Sequence, residues 1–249
     1  MNSIYIKDIN FNKMKKKIYN PFSDNSFYVD EENNKFYKIF QRNLKSLSIM
    51  EKKLDEIEKL NKSYISNPSD IIYNSNSIIN GYTQKLIRGN TLRELINCRN
   101  LLEYLKDIIT VSKNLEDLHN CNAVVGDIGF HNIMIDENGE PKFIDIDSIS
   151  TNDIKSKTVS LLLSNYYGRK NKDVEIGENS DNIGLYLSLF KVIFGRELAV
   201  IANDTYLHEI CSCPILADLY PVYKSLTRRN EVIPNVPYLH KVLKNYDNS

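Results

Sequence analysis

Two stretches of this sequence gather side chains that could handle a hard cation and an anion. The first covers residues 124–148, VVGDIGFHNIMIDENGEPKFIDIDS. Asp127 and Asn132 lie in a loop ahead of a predicted β-hairpin, and Asp145 and Asp147 come at its far end. Residues 133–135 and 143–146 are apolar and β-branched, as strands prefer. Asn138-Gly139 between them is a hairpin-turn signal, because both residues tolerate φ > 0. One hairpin brings its two ends together, so an amide and three carboxylates converge in a small volume. Like charges gathered there repel unless a cation or a proton sits among them. Oxygen-only ligands of this kind suit Mg²⁺ before Zn²⁺. The second stretch is KFYKIF at 35–40, where Phe36, Lys38 and Phe40 share one strand face. A lysine between two aromatics is costly to bury unless it meets an anion.

The elements that must position these groups follow from pattern. Residues 27–40 read as strand, polar turn and strand. Residues 44–60 read as an amphipathic helix with Leu47, Met50, Leu54 and Ile57 on its buried face. Strands are predicted at 71–73 and 78–87, then a helix capped by Thr91 with Glu94 at the capping-box position. A long helix spans 101–119, and His119 at its end reads as a hydrogen-bonded structural residue. The chain has 249 residues, 42% hydrophobic and 26% charged, an ordinary globular composition that can form one large domain or two small ones. Lysine plus arginine number 32 and acids 32, a balance that argues against nucleic acid as the main partner. No apolar run is long enough to span a bilayer, and the N-terminal MNSIYIKDIN is polar and mixed, unlike a signal peptide. The expectation is a cytoplasmic protein without a membrane partner. Its four cysteines, including Cys211 and Cys213, are expected to be reduced thiols.

Asp127-Ile128-Gly129-Phe130-His131-Asn132 resembles the D-x-x-x-x-N catalytic loop of protein kinases, and Phe143-Ile144-Asp145-Ile146-Asp147 resembles the strand entering their D-F-G. The resemblance is to divergent bacterial members of the eukaryotic-like Ser/Thr kinase fold. It implies an α+β, two-lobed, protein-kinase-like fold with a small antiparallel-sheet N-lobe at 1–88 and a mostly helical C-lobe at 89–249. It also implies ATP and Mg²⁺ as cofactors. Carried over, Asp127 is the catalytic base, Asn132 and Asp145 hold Mg²⁺ with Asp147 as a further metal-site residue, and Lys38 holds the α- and β-phosphates. The family asks for a helix glutamate beside that lysine, and Glu51, flanking the apolar stripe, is the candidate. The stretch GYTQKLIRGNTLRELI matches the strand, hinge and helix that join kinase lobes. Gln84 then guards the rear of the nucleotide pocket, Lys85, Leu86 and Ile87 offer backbone to adenine, and Met134 supplies the floor. Ser180-Asp181 resembles the start of the kinase helix whose aspartate buttresses the catalytic loop.

The sequence also departs from that family. Residues 18–30 contain no glycine, Phe36 replaces a small residue, and Val125-Gly126 replaces His-Arg. Gly129 stands where kinases carry a lysine, leaving His131 as the nearby cation candidate for the transferring phosphate. No A-P-E appears between 149 and 180, a stretch rich in hydroxyls and bases. The reading is a Mg-ATP-dependent phosphotransferase, a divergent Ser/Thr protein kinase acting on a protein hydroxyl. The alternatives are a small-molecule kinase of the aminoglycoside or choline type, which Gly126-Asp127 resembles, and a pseudokinase serving as a binding or scaffold module.

Overall fold

Short strands with aromatic or β-branched residues at alternate positions build the first half of the chain. They are β1 (Asn2–Tyr5), β2 (Lys16–Ile18), β3 (Asn25–Asp30), β4 (Lys35–Phe40), β5 (Pro68–Tyr73) and β6 (Ile79–Lys85). In the computed structural model they form one sheet in the order β1-β5-β6-β4-β3-β2. The structure describes residues 1–14, 16–18, 25–40, 47–152, 154, 161–167, 176–198, 207–208, 214–227 and 233–247. The chain divides into two units, Met1–Gly89 with Lys142–Asp147, and Asn90–Pro141 with Ser148–Ser249. Lys142–Asp147 thus returns to the first unit, which a single division at residue 88 does not anticipate. The class is α+β, a small sheet unit and a mostly helical one. The sheet is antiparallel from β5 through β2, while β1 joins β5 in parallel at the edge.

Within the first unit, β4 divides its residues between the two faces of the sheet. Tyr37 and Ile39 pack with Ile72 in a buried cluster flanked by Ile6, Ile9, Phe11, Met14 and Tyr28. Lys38 lies on the opposite face and pairs in register with Tyr82 of β6. Gly81 makes that register possible, since a Cβ there would lie 2.1 Å from the Lys38 carbonyl oxygen. Only glycine permits this approach. Helix α1 (Leu47–Leu60) buries Leu54 and Ile57 completely. Its expected start at residue 44 lies outside the described residues.

Strand β7 (Gly89–Thr91) spans the division, and the second unit goes on with α2 (Leu92–Leu95), where Thr91 and Glu94 form the expected capping box. Helix α3 (Leu101–Asn120) is capped by Asn100, whose side chain accepts from the Glu103 N–H. Strand β8 (Ile133–Asp136) is followed by a turn in which Asp136 accepts from the backbone N–H of Asn138 and Glu140. The next strand, β9 (Pro141–Phe143), lies earlier than the predicted 143–146, and residues 146–148 form a 3₁₀ turn instead. Helix α4 covers Leu161–Tyr167, and α5 (Glu178–Phe194) is buried along most of its length. Short helices at Pro214–Ala217, Tyr220–Thr227 and Leu239–Val242 follow. Buried Ser112 of α3 accepts from the His240 N–H at 3.1 Å and ties down the last of these. Among the described residues no helix is long and apolar enough to cross a membrane. Cys98 and Cys121 are free thiols. Cys211, Cys213, residues 19–24 of the glycine-free stretch, and most of the hydroxyl-rich, basic stretch at 155–160 and 168–175 lie outside the described residues.

Candidate functional site

The sequence-predicted residues fall into two groups, one in each unit. In the first unit, β4 presents Lys38, only 5% exposed, toward the segment that returns after β9. Its Nζ lies 2.6 Å from Asp145 Oδ1 and 2.5 Å from Asp147 Oδ1. The ring of Phe27, its cross-strand neighbour, has its centroid 5.9 Å from the ammonium. The expected second strand stops at Phe143, and the two aspartates that follow it point their carboxylates at this lysine. Burial alone would lower the Lys38 pKa, but Asp147 and Asp145 outweigh it and hold the group well above the usual lysine range.

The two carboxylates titrate in opposite directions. Burial and the charge of Asp147 raise Asp145 against the pull of Lys38. Burial also works to raise Asp147, but Lys38, a hydrogen bond from Asp145 and the charge of Lys53 together push it below the usual range. Any proton the pair holds therefore sits on Asp145. Asp145 is also the more open carboxylate, 34% exposed against 20%. Tyr82 donates to Asp147 Oδ1 at 3.3 Å, and burial followed by the two aspartates keeps its hydroxyl protonated.

Lys53 is the residue that sequence reasoning missed. It is 5% exposed on α1 and donates to the main-chain oxygen of Asp147. Burial lowers its pKa to about 8, with Asp147 opposing and Lys38 adding to the fall. Glu51 does not stand beside Lys38 as expected. It lies on the exposed side of α1 and accepts from the Tyr73 hydroxyl at 2.9 Å. The cause is helical phase: with Leu54 and Ile57 facing in, position 53 shares the buried stripe and position 51 does not. A lysine within an apolar stripe was a readable signal, the same one that drew attention to Lys38.

Gln84 is buried on β6 opposite Phe36, on the Lys38 face, and its Oε1 has no hydrogen-bond partner among the described residues. Phe36 is half-buried, its ring centroid 5.9 Å from that of Phe27. Lys85 is exposed at the end of β6 and Ile87 is half-buried, while the Leu86 N–H is already bonded to Asn34 O at 2.9 Å.

In the second unit, Asn132 donates from Nδ2 to Asp127 at both its main-chain oxygen, 3.1 Å, and its Oδ2, 3.2 Å. The loop ahead of them is fixed by Asp181, which accepts from the N–H of Val125 at 2.7 Å and of Gly126 at 2.8 Å. His119 Nε2 lies 3.0 Å from Asp181, and its Nδ1 lies 2.9 Å from the Tyr238 hydroxyl. Gly126 holds φ 79° just before Asp127. His131 lies over Gly129, where a Cβ would come within 2.5 Å of the imidazole. Its pKa is lowered, by the desolvation of the ring first and then by Arg93 and Lys191, against the pull of Asp127. At neutral pH the ring is therefore mainly uncharged, which weakens the expected cation role. Arg93 and Lys191 are cations near it that the sequence did not single out. Met134 is half-buried on β8 between Ile133 and Ile135.

The donor sets suit magnesium and a nucleotide triphosphate. The Lys38 ammonium is of a kind that could meet phosphate oxygens, and Asp145, whose pKa is raised by burial and by Asp147, could release a proton to a divalent ion. Among the described residues no three His, Cys, Asp or Glu side chains gather as a metal centre. Mg²⁺ ordinarily takes one or two carboxylates and completes its shell with phosphate oxygens and water, so such a gathering is not required. Gln84 supplies a buried acceptor in want of a donor. No curated protein sequence matches the chain. The family model of the RIO domain, an atypical protein kinase family, matches residues 6–161, well over half of the 249 residues. With the β4 lysine, the aspartate after β9 and the loop of Asp127 and Asn132 all inside the matched span, the chain belongs to the RIO domain family of kinase-like proteins.

Proposed function

We propose that the protein is an active Mg-ATP-dependent phosphotransferase that passes the γ-phosphoryl group to a serine or threonine hydroxyl of a protein. The observation that carries this reading is the buried Lys38 ammonium shared between Asp145 and Asp147. Bound Mg-ATP would supply the phosphoryl group and the charge that draws Lys38 and Asp145 to it. Lys38 would bind the phosphates, and Asp145 and Asn132 would hold the metal. The Gln84 amide and the backbone of Lys85 and Ile87 would receive the adenine, with Phe36 and Met134 as its apolar neighbours. Asp127 would accept the proton of the acceptor hydroxyl, oriented by the Asn132 amide it already meets. Catalysis in this form rests on positioning and charge neutralisation.

The test is label transfer from γ-labelled ATP, to the chain itself or to a generic protein substrate. Asp145→Asn should lower transfer at least about 100-fold while leaving the melting temperature near that of wild type. Transfer unchanged by that substitution would refute the assignment. A second reading, a kinase for small hydroxylated molecules, is favoured by Gly126 in its left-handed conformation where protein kinases place an arginine. Label appearing only on an added aminoglycoside or choline would select it. Nucleotide binding without any transfer would select the pseudokinase instead.

A further inference from the structure

Asp147 is held through both its carboxylate and its main-chain oxygen. Its carboxylate meets Lys38 at 2.5 Å and Tyr82 at 3.3 Å, and its main-chain oxygen accepts from Lys53, 94 residues away in sequence. Lys53 comes from the buried stripe of α1, beside Leu54 and Ile57, which have no exposure at all. A lysine in that setting needs a specific acceptor. The acceptor it has is a main-chain carbonyl, so the bond sets where the backbone of Asp147 lies and leaves the carboxylate for Lys38.

We propose that Lys53 and Asp147 form a relay that positions Lys38: helix α1 fixes the Asp147 backbone through Lys53, and the Asp147 carboxylate fixes the Lys38 ammonium. Helix α1 thus governs the lysine without contributing a carboxylate to it. Asp147 is then a positioning residue, and the more exposed Asp145 is the carboxylate that meets the metal. This inference rests on the reading of Lys38 as the phosphate-binding lysine.

The test compares Lys53→Met, which keeps an apolar stem and loses the donor, with Lys53→Arg, which keeps a donor, and with Asp147→Asn. In the ligand-free protein, ¹⁵N-edited NMR of the lysine ammonium groups reads Lys38 directly, because an ion-paired, buried ammonium exchanges its protons slowly. The Lys38 signal should shift or broaden beyond detection in Lys53→Met and Asp147→Asn, and return in Lys53→Arg. With saturating acceptor, Lys53→Met should lower kcat about 10-fold or more and change the KM for ATP by less than about 3-fold, as expected when an interaction made in the transition state is lost. A Lys38 signal unmoved by Lys53→Met would overturn the relay, and so would a rise in KM with kcat unchanged, the mark of Lys53 binding ATP itself. If the NMR responses appear but the wild-type chain shows no ATP turnover, the relay stands and the phosphotransferase reading falls.

Discussion

Lys38 and Asp127 are held by different means. Among the described residues the hydrogen-bond partners of Lys38 are two carboxylates, and the residue that carries one of them is tied in turn to a second buried lysine and a tyrosine. The loop of Asp127 is held through its backbone, with one buried carboxylate, Asp181, accepting from two consecutive N–H groups and from His119. In the first arrangement the candidate site residues and their scaffold are the same charged side chains. In the second they are separate residues. A scaffold of paired charges can exchange an internal partner for an incoming phosphate or cation, and it responds to pH and to ligand. A backbone buttress has nothing to exchange, so it should be costly to remove and indifferent to nucleotide.

The largest effect on stability should come from the buttress. Asp181→Ala leaves the Val125 and Gly126 N–H groups and His119 without their acceptor inside a buried site, at a cost of about 3–5 kcal/mol. Calorimetry should show the melting temperature of the chain fall by roughly 10 °C, equally with and without Mg-ATP. A fall of only a degree or two would mean that the loop is held by something else. A smaller effect is expected from a charge-paired carboxylate of the first unit. Asp70 accepts from Lys35 at 2.7 Å, Thr83 at 2.6 Å and Asn2 at 3.3 Å. Burial raises its pKa, but these bonds prevail and lower it overall. A depressed carboxylate contributes stability above its unfolded value and loses it as pH falls through its folded value. Asp70→Asn should therefore cost about 1–3 kcal/mol at pH 7, and the gap from wild type should close as the medium is acidified below the ordinary carboxylate range. Urea melts across pH would show this; a gap independent of pH would mean that the bonds count and the charge does not.

Much of this arrangement was legible in the sequence, for identifiable reasons. The loop residues Asp127 and Asn132 and the later Asp145 stand at fixed spacing around a hairpin whose turn residues announce it, and Lys38 was marked by aromatic neighbours on one strand face. Asp181 and His119 could be read from their positions at a helix start and a helix end. Local periodicity could not supply the partner of a buried charge. Lys53 meets a carbonyl 94 residues downstream, whereas the kinase resemblance asks α1 for a carboxylate and so points to Glu51, which is exposed. The end of β9 differs for a related reason: apolar residues at 143, 144 and 146 favour a strand, but Asp145 and the following Asp147 turn to Lys38 and the ladder ends at Phe143. The parallel pairing of β1 with β5 depends on a contact between distant strands, which neither sequence discloses alone.

Nucleotide binding by Lys38 is the claim on which the rest depends, and a melting experiment with the wild-type chain and Lys38→Met tests it most directly. Removing one partner of a buried ion pair strands the charge of the other. Without Lys38 the Asp145 and Asp147 carboxylates repel until one takes a proton. Ligand-free Lys38→Met should therefore itself melt several degrees below wild type, and the comparison is of the rise that ligand produces in each protein. Millimolar ATP with Mg²⁺ should raise the wild-type melting temperature by several degrees through mass action, with the rise reduced by EDTA and absent in Lys38→Met. An equal rise in both proteins, or none in wild type, would contradict the account.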